Sequence, residues 1–239
     1  MKIIAHRGAS GLALENTLPS IELANLLGVD SIEIDIRRTK DGHFVVCHDD
    51  DIYRISGIHK KISRSTLAQI QDITLLDGQS TVPTLKQAIE TAKDTPLIIE
   101  VKITGAAKEL ANYLATYNSK KFTIASFHHR EAVQIKSLAP NIKVYLAERT
   151  NMFEIITNAK QSKVEGIDLN FWLLNPLTYF FAKRYKLDIM AYTVNSRLLA
   201  WIIHWLYPSV AICTNHPEWF IKHPWLKLKT SGKRIFAKD

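Results

Sequence analysis

Short β-branched apolar runs recur along the chain, and each ends in polar or charged residues. They are Lys2–His6, Ser31–Ile36, Leu97–Lys102, Phe122–Phe127, Lys143–Glu148, Gly166–Leu169, Asp188–Val194 and Val210–Thr214. Most are separated by a stretch with helical spacing and a plausible cap. Thr17 precedes Leu18, Ile21, Ala24 and Leu27, with Pro19 in the first turn and Gly28 as a stop. Thr84 stands before Leu85, Ala88, Ile89 and Ala92, and Asn175-Pro176 opens 177–186 with cap and proline in the favoured order. From Glu100 onward, strand follows strand about every 20–26 residues, the length of one βα unit. Eight such units in 239 residues predict a closed (β/α)8 TIM barrel. A doubly wound open sheet is the competitor, but His6-Arg7-Gly8-Ala9-Ser10-Gly11 lacks its glycine-rich phosphate loop.

One interval breaks the rhythm. Between Ile36 and Leu97 lie 60 residues, and the stretch begins with Thr39-Lys40-Asp41-Gly42. Asp-Gly between apolar runs is a hairpin signal, so 44–48 is expected to return antiparallel beside the second strand. With Asp41 and Gly42 as the loop, 40 pairs with 43, 38 with 45 and 35 with 48, which sets His48 across from Asp35. Residues 49–82 are polar and irregular and are expected to form a small insertion above the barrel. The barrel domain is expected over 1–221 and a basic tail over 222–239.

Composition narrows the class. Apolar residues make up 46% and charged residues 23%, as in a globular protein with a sizeable core. Cys47 and Cys213 stand alone without metal-ligand spacing, and only three apolar residues, Ile3-Ile4-Ala5, precede the polar and charged His6-Arg7. A reduced, cytoplasmic protein is the expectation. The net charge of +8 would suit nucleic acid, but Lys222–Asp239 carries six basic residues and one acidic one, a surplus of +5. That leaves +3 for the other 221 residues, so no basic, aromatic-interleaved face for nucleic acid is expected.

Side chains at the C-terminal ends of barrel strands share one pocket. The first strand ends in His6-Arg7. In Ile32-Glu33-Ile34-Asp35-Ile36 the isoleucines should face the helices, which turns both carboxylates inward. The next parallel strand supplies Glu100 and Lys102, and the return strand ends at His48. Buried acids repel one another unless a cation joins them. Glu33, Asp35 and Glu100 suit a hard divalent ion, Mg²⁺ or Ca²⁺, and nothing argues for zinc. Arg7 and Lys102 can hold an anion, while His6 and His48, titrating near neutrality, can share acid and base work. Such a set fits the breaking of a phosphate ester.

At this point the sequence resembles the glycerophosphodiester phosphodiesterase family. The matching stretches include His6-Arg7-Gly8, Glu15-Asn16-Thr17, Ile32-Glu33-Ile34-Asp35, Thr39-Lys40-Asp41-Gly42, Val45-Val46-Cys47-His48-Asp49, Ile99-Glu100-Val101-Lys102 and Thr193-Val194-Asn195. The resemblance implies a TIM barrel with Glu33, Asp35 and Glu100 on the ion, His6 and His48 as acid/base pair, and Arg7 and Lys102 on phosphate. It also implies hydrolysis of glycerophosphodiesters to glycerol 3-phosphate and an alcohol. Three positions depart from the family pattern. Leu14 replaces a proline, Asn215 replaces an aspartate, and Tyr192 replaces a tryptophan while keeping an aromatic wall for substrate.

Leu198–Leu206 and 171–181 are greasy but too short to span a bilayer. One reading of 198–206 is a barrel helix with a wide buried face. The other is a surface resting on a membrane together with the tail, which would make a lyso-lipid the substrate and the enzyme a lysophospholipase D. A phosphate-binding barrel without turnover is the remaining alternative.

Overall fold

A computed structural model describes residues 1–221; the basic tail of 222–239, with the membrane contact expected of it, lies outside the described residues. Eight parallel strands close the barrel: β1 (Lys2–Ala5), β2 (Ser31–Arg38), β4 (Leu97–Val101), β5 (Phe122–Ser126), β6 (Lys143–Glu148), β7 (Gly166–Asn170), β8 (Asp188–Tyr192) and β9 (Val210–Thr214). The seam is sealed on both sides of β1, by Ile4↔Ser31 and Ala5↔Ile32 with β2 and by a longer ladder with β9. The expected barrel is therefore present, and no doubly wound sheet is.

Around it stand α1 (Leu18–Leu27), α4 (Leu85–Ala92), α5 (Ala107–Leu114), α6 (His129–Leu138), α7 (Met152–Ser162), α8 (Pro176–Arg184) and α9 (Arg197–Leu206). Their ends follow the caps read in the sequence. The side chains of Thr17, Thr84 and Asn175 each accept from a backbone N–H in the first turn, and Gly28 closes α1 in the left-handed conformation.

Alternation along the strands sorts the residues. Ile32, Ile34 and Ile36 are fully buried against the helices, while Glu33 and Asp35 between them point into the barrel. Ile4, Ile98 and Met190 join Ala125 and Cys213 in an apolar plug within the cylinder. Two residues further along the same strands come His6, Glu100 and Tyr192. The mouth is thus a polar layer standing on a sealed apolar floor.

The hairpin after β2 exists, but in a different register. Strand β3 (Phe44–Val46) pairs Arg38↔Phe44, Arg37↔Val45 and Ile36↔Val46. The loop holds three residues, Lys40, Asp41 and Gly42, since Thr39 N–H donates to His43 O at 2.9 Å. Gly42 at φ +88° supplies the left-handed third residue that such loops need. Cys47, not His48, consequently lies across from Asp35, its N–H donating to Asp35 O at 2.9 Å. Residues 49–82 hold α2 (Tyr53–Ser56) and α3 (Leu67–Gln71), built on an apolar cluster of their own that includes Cys47, Ile52, Ile62, Ile70 and Val82.

Candidate active site

The loop after β1 is bent by need. Arg7 (φ +54°) and Gly8 (φ +77°) turn the chain under α1, where a Cβ on Gly8 would sit 2.4 Å from Ser20 Oγ. The turn aims the Arg7 N–H at Glu33 Oε2 (2.7 Å) and its guanidinium Nε at Asp35 Oδ2 (3.2 Å). Strand pairing sets Asp35 beside Glu100, with Glu33 two residues behind. One carboxylate oxygen from each of Glu33, Asp35 and Glu100 falls within 4.8 Å of the others, and all three residues are buried.

This cluster is electrostatically unbalanced. Burial, with Asp35 and Glu100 as like-charged neighbours, drives the Glu33 carboxyl well above its ordinary value. Burial and Asp35 likewise raise Glu100. Burial would raise Asp35 too, but Lys102 and Arg7 outweigh it and hold that carboxyl down. Lys102 Nζ stands 3.0 Å from Asp35 Oδ1 and also pairs with Glu100. Glu33 Oε1 is buried without a hydrogen-bond partner. All-oxygen donors, like charges pressed together and a free buried oxygen are the chemistry a hard divalent cation resolves, so the residues fit such an ion.

Both imidazoles reach the pocket. His6 places Nδ1 2.7 Å from Asn215 Oδ1, an acceptor, so Nδ1 carries the proton and Nε2 is left bare, 4.0 Å from Glu33 Oε2. His48 places Nδ1 2.7 Å from Asp49 Oδ1, which likewise leaves Nε2 unprotonated in the neutral ring. The expectation that both titrate near neutrality is not met in this state. Burial and the Arg7 charge push His6 down to about 4, and burial lowers His48 despite Asp35.

His6, Arg7, Glu33, His48, Glu100, Lys102 and Tyr192 line one pocket of about 410 Å³. Tyr192 packs edge-on against Phe127 and donates from its hydroxyl to Glu148 O at 3.0 Å. Several partners were not singled out in the sequence. Asn16 is buried at φ +56°, donates from Nδ2 to Asp35 Oδ2 (2.8 Å) and accepts from the Asp35 N–H (3.1 Å). Its left-handed backbone suits asparagine, but nothing local announces the contact. Arg54, from the insertion, forks onto Glu15 at 2.7 and 2.8 Å and reaches Asp49 at 2.7 Å. Those contacts link His48 through Asp49, Arg54 and Glu15 to Arg7. Asp168 also lines the pocket, its carboxyl pushed up by burial and by Glu100. Its place between Ile167 and Leu169 was the signal, the same alternation that marks Glu33 and Asp35.

A barrel with this mouth falls among the enzymes that hydrolyse phosphate esters. The sequence model of the glycerophosphoryl diester phosphodiesterase family matches residues 6–219, and the chain belongs to that family. YhdW of Bacillus subtilis, named for the same activity, is 30% identical over 238 residues, covering 93% of this chain and 97% of its own. A lysophospholipase D of Homo sapiens is 29% identical over 147 residues, 56% of this chain and 47% of that protein. Among solved structures, an Oleispira antarctica phosphodiesterase in complex with the product sn-glycerol-3-phosphate superposes with a TM-score of 0.84 at 24% identity, covering 96% of this chain and 97% of that one. That likeness shows the shared fold.

Proposed function

We propose that the chain hydrolyses glycerophosphodiesters to sn-glycerol 3-phosphate and an alcohol, with His6 and His48 as the acid/base pair. Glu33, Asp35 and Glu100 would hold one divalent cation, Mg²⁺ or Ca²⁺. The observation that carries the reading is the convergence of three buried carboxylates within 4.8 Å, beside two cationic side chains and two imidazoles. When bound, the cation supplies Lewis-acid polarisation of the phosphoryl group.

The chain's own residues do the rest. Arg7 and Lys102 bind the non-bridging oxygens and stabilise charge that grows on them. The phosphodiester is itself an anion, and it offsets the Arg7 charge that adds to burial in depressing both imidazoles. One bare Nε2 accepts the proton of the attacking hydroxyl or water, while the other ring enters the step as an imidazolium, protonated on both nitrogens, and gives its Nε2 proton to the departing alkoxide. Asn215 and Asp49 fix the ring tautomers so that each Nε2 remains available. Tyr192 and Phe127 form the aromatic wall for the glycerol side. The free, buried thiols of Cys47 and Cys213 suit a reducing compartment such as the cytoplasm.

The test is release of glycerol 3-phosphate from a panel of head groups, with and without chelator. His6→Ala and His48→Ala should each lower turnover by at least about a hundredfold. Wild-type rates in either variant, or activity indifferent to chelation, would contradict the assignment. A second reading, action on lyso-lipids, is favoured by Trp172, 79% exposed immediately after the pocket-lining Phe171. Lysophosphatidylcholine therefore belongs on the panel.

A further inference from the structure

The outward side of the barrel near β8 is unusually apolar. On α9, Leu198, Trp201, Ile202 and Trp205 recur at i, i+3, i+4 and i+7 and share one face. Trp201 is 63% and Trp205 73% exposed, whereas Ala200 and Ile203 on the other side are buried. The expectation of a wide buried face on this helix therefore fails. Helix α8 meets the residue that follows α9, with the Tyr179 and Tyr207 rings 5.2 Å apart, and it exposes Leu177 and Phe180. A face of this kind calls for a cover.

Charge indicates which cover. From Phe171 to Pro217 the sequence has one acidic residue, Asp188, against Lys183, Arg184, Lys186 and Arg197. The described chain ends at Ile221, two residues after Trp219, whose ring meets the Arg197 guanidinium at 5.6 Å beside the start of α9. Beyond it the sequence continues with six basic residues, one acidic residue and Trp225. A symmetric pairing of two copies through this face would bring its lysines and arginines against themselves. A bilayer surface instead takes indoles at head-group level and gives the cations lipid phosphates.

We propose that the exposed apolar side chains of α8 and α9 dock the protein on a bilayer surface that carries anionic phospholipid. The surface lies outside the pocket, so the proposal stands whether or not the catalytic reading does.

Co-sedimentation of the full chain with vesicles tests this, using phosphatidylcholine alone and phosphatidylcholine mixed with phosphatidylglycerol. Binding is expected on the mixed vesicles, at least about tenfold weaker on the neutral ones and weakened by salt. The double variant Trp201→Ser/Trp205→Ser should bind at least about tenfold less while keeping the wild-type melting temperature. Trp201→Phe/Trp205→Phe should retain most binding yet show less quenching of tryptophan emission by brominated lipid than wild type. The proposal is overturned if wild type ignores the mixed vesicles or if the serine variant binds them equally well. A wild-type dimer that the serine variant dissociates, without vesicle binding, overturns it too.

Discussion

Asp35 shows how closely a single side chain is held. Asn16 supplies it with two hydrogen bonds, Lys102 and Arg7 supply charge, and no surface remains for solvent. Asn16→Ala should therefore act through its neighbour. Partners of this kind contribute about 10–100-fold in metal affinity, so calorimetric titration with Mg²⁺ or Ca²⁺ should show a loss in that range. A change below about threefold would mean Asn16 serves the loop alone. The acids themselves were legible because β-branched residues bracket them, isoleucines around Glu33 and Asp35 and Ile99 with Val101 around Glu100, which turns them inward. Asn16 and Asn215 were not legible as partners, since their contacts cross 19 and 209 residues of chain. The two-residue period says which face a side chain takes, and it is silent on what waits there.

At the level of elements, the hairpin and the insertion repay comparison with the sequence. Asp41-Gly42 correctly marks the turn, yet the glycine closes a three-residue loop, and one residue of slip exchanges the sites of Cys47 and His48. His48 still reaches the pocket because β3 ends at Val46 and the chain bends. The insertion then holds it through Arg54. Burial would raise Glu15 and Asp49, but contact with Arg54 and Arg7 on Glu15, and with His48 and Arg54 on Asp49, keeps both carboxyls below their ordinary values. Groups lowered on folding stabilise the fold above their unfolded pKa and lose that contribution as pH falls through the folded one. Melting temperature should thus fall on acidification below about pH 4–5, and less steeply in Arg54→Met. With Arg54 half exposed, the cluster contributes on the order of 1 kcal/mol, or roughly 2–4 °C. Parallel acid limbs in the two proteins would show that Arg54 does not couple the insertion to the barrel.

Considered whole, the molecule trades stability for its mouth. Glu33 and Glu100 are carboxyls raised on folding, so their charged forms oppose the fold at neutral pH. Glu100→Gln should melt higher than wild type in chelator, and lose most of the rise that Mg²⁺ or Ca²⁺ gives wild type. That rise reaches about 2.7 kcal/mol at a hundredfold excess over Kd. Equal melting of the two proteins with and without the ion would remove the case for the triad. The barrel itself was legible from the spacing of its strands, whereas the outward tryptophans of α9 read equally well as core. Finally, β1 zips to β9 along four residue pairs, and the His6 ring leans on Asn215 just beyond that last strand. During synthesis His6 emerges 209 residues before the Asn215 that holds its ring. A chain released before that point would lack both the strand that closes the barrel beside β1 and the prop for the His6 imidazole.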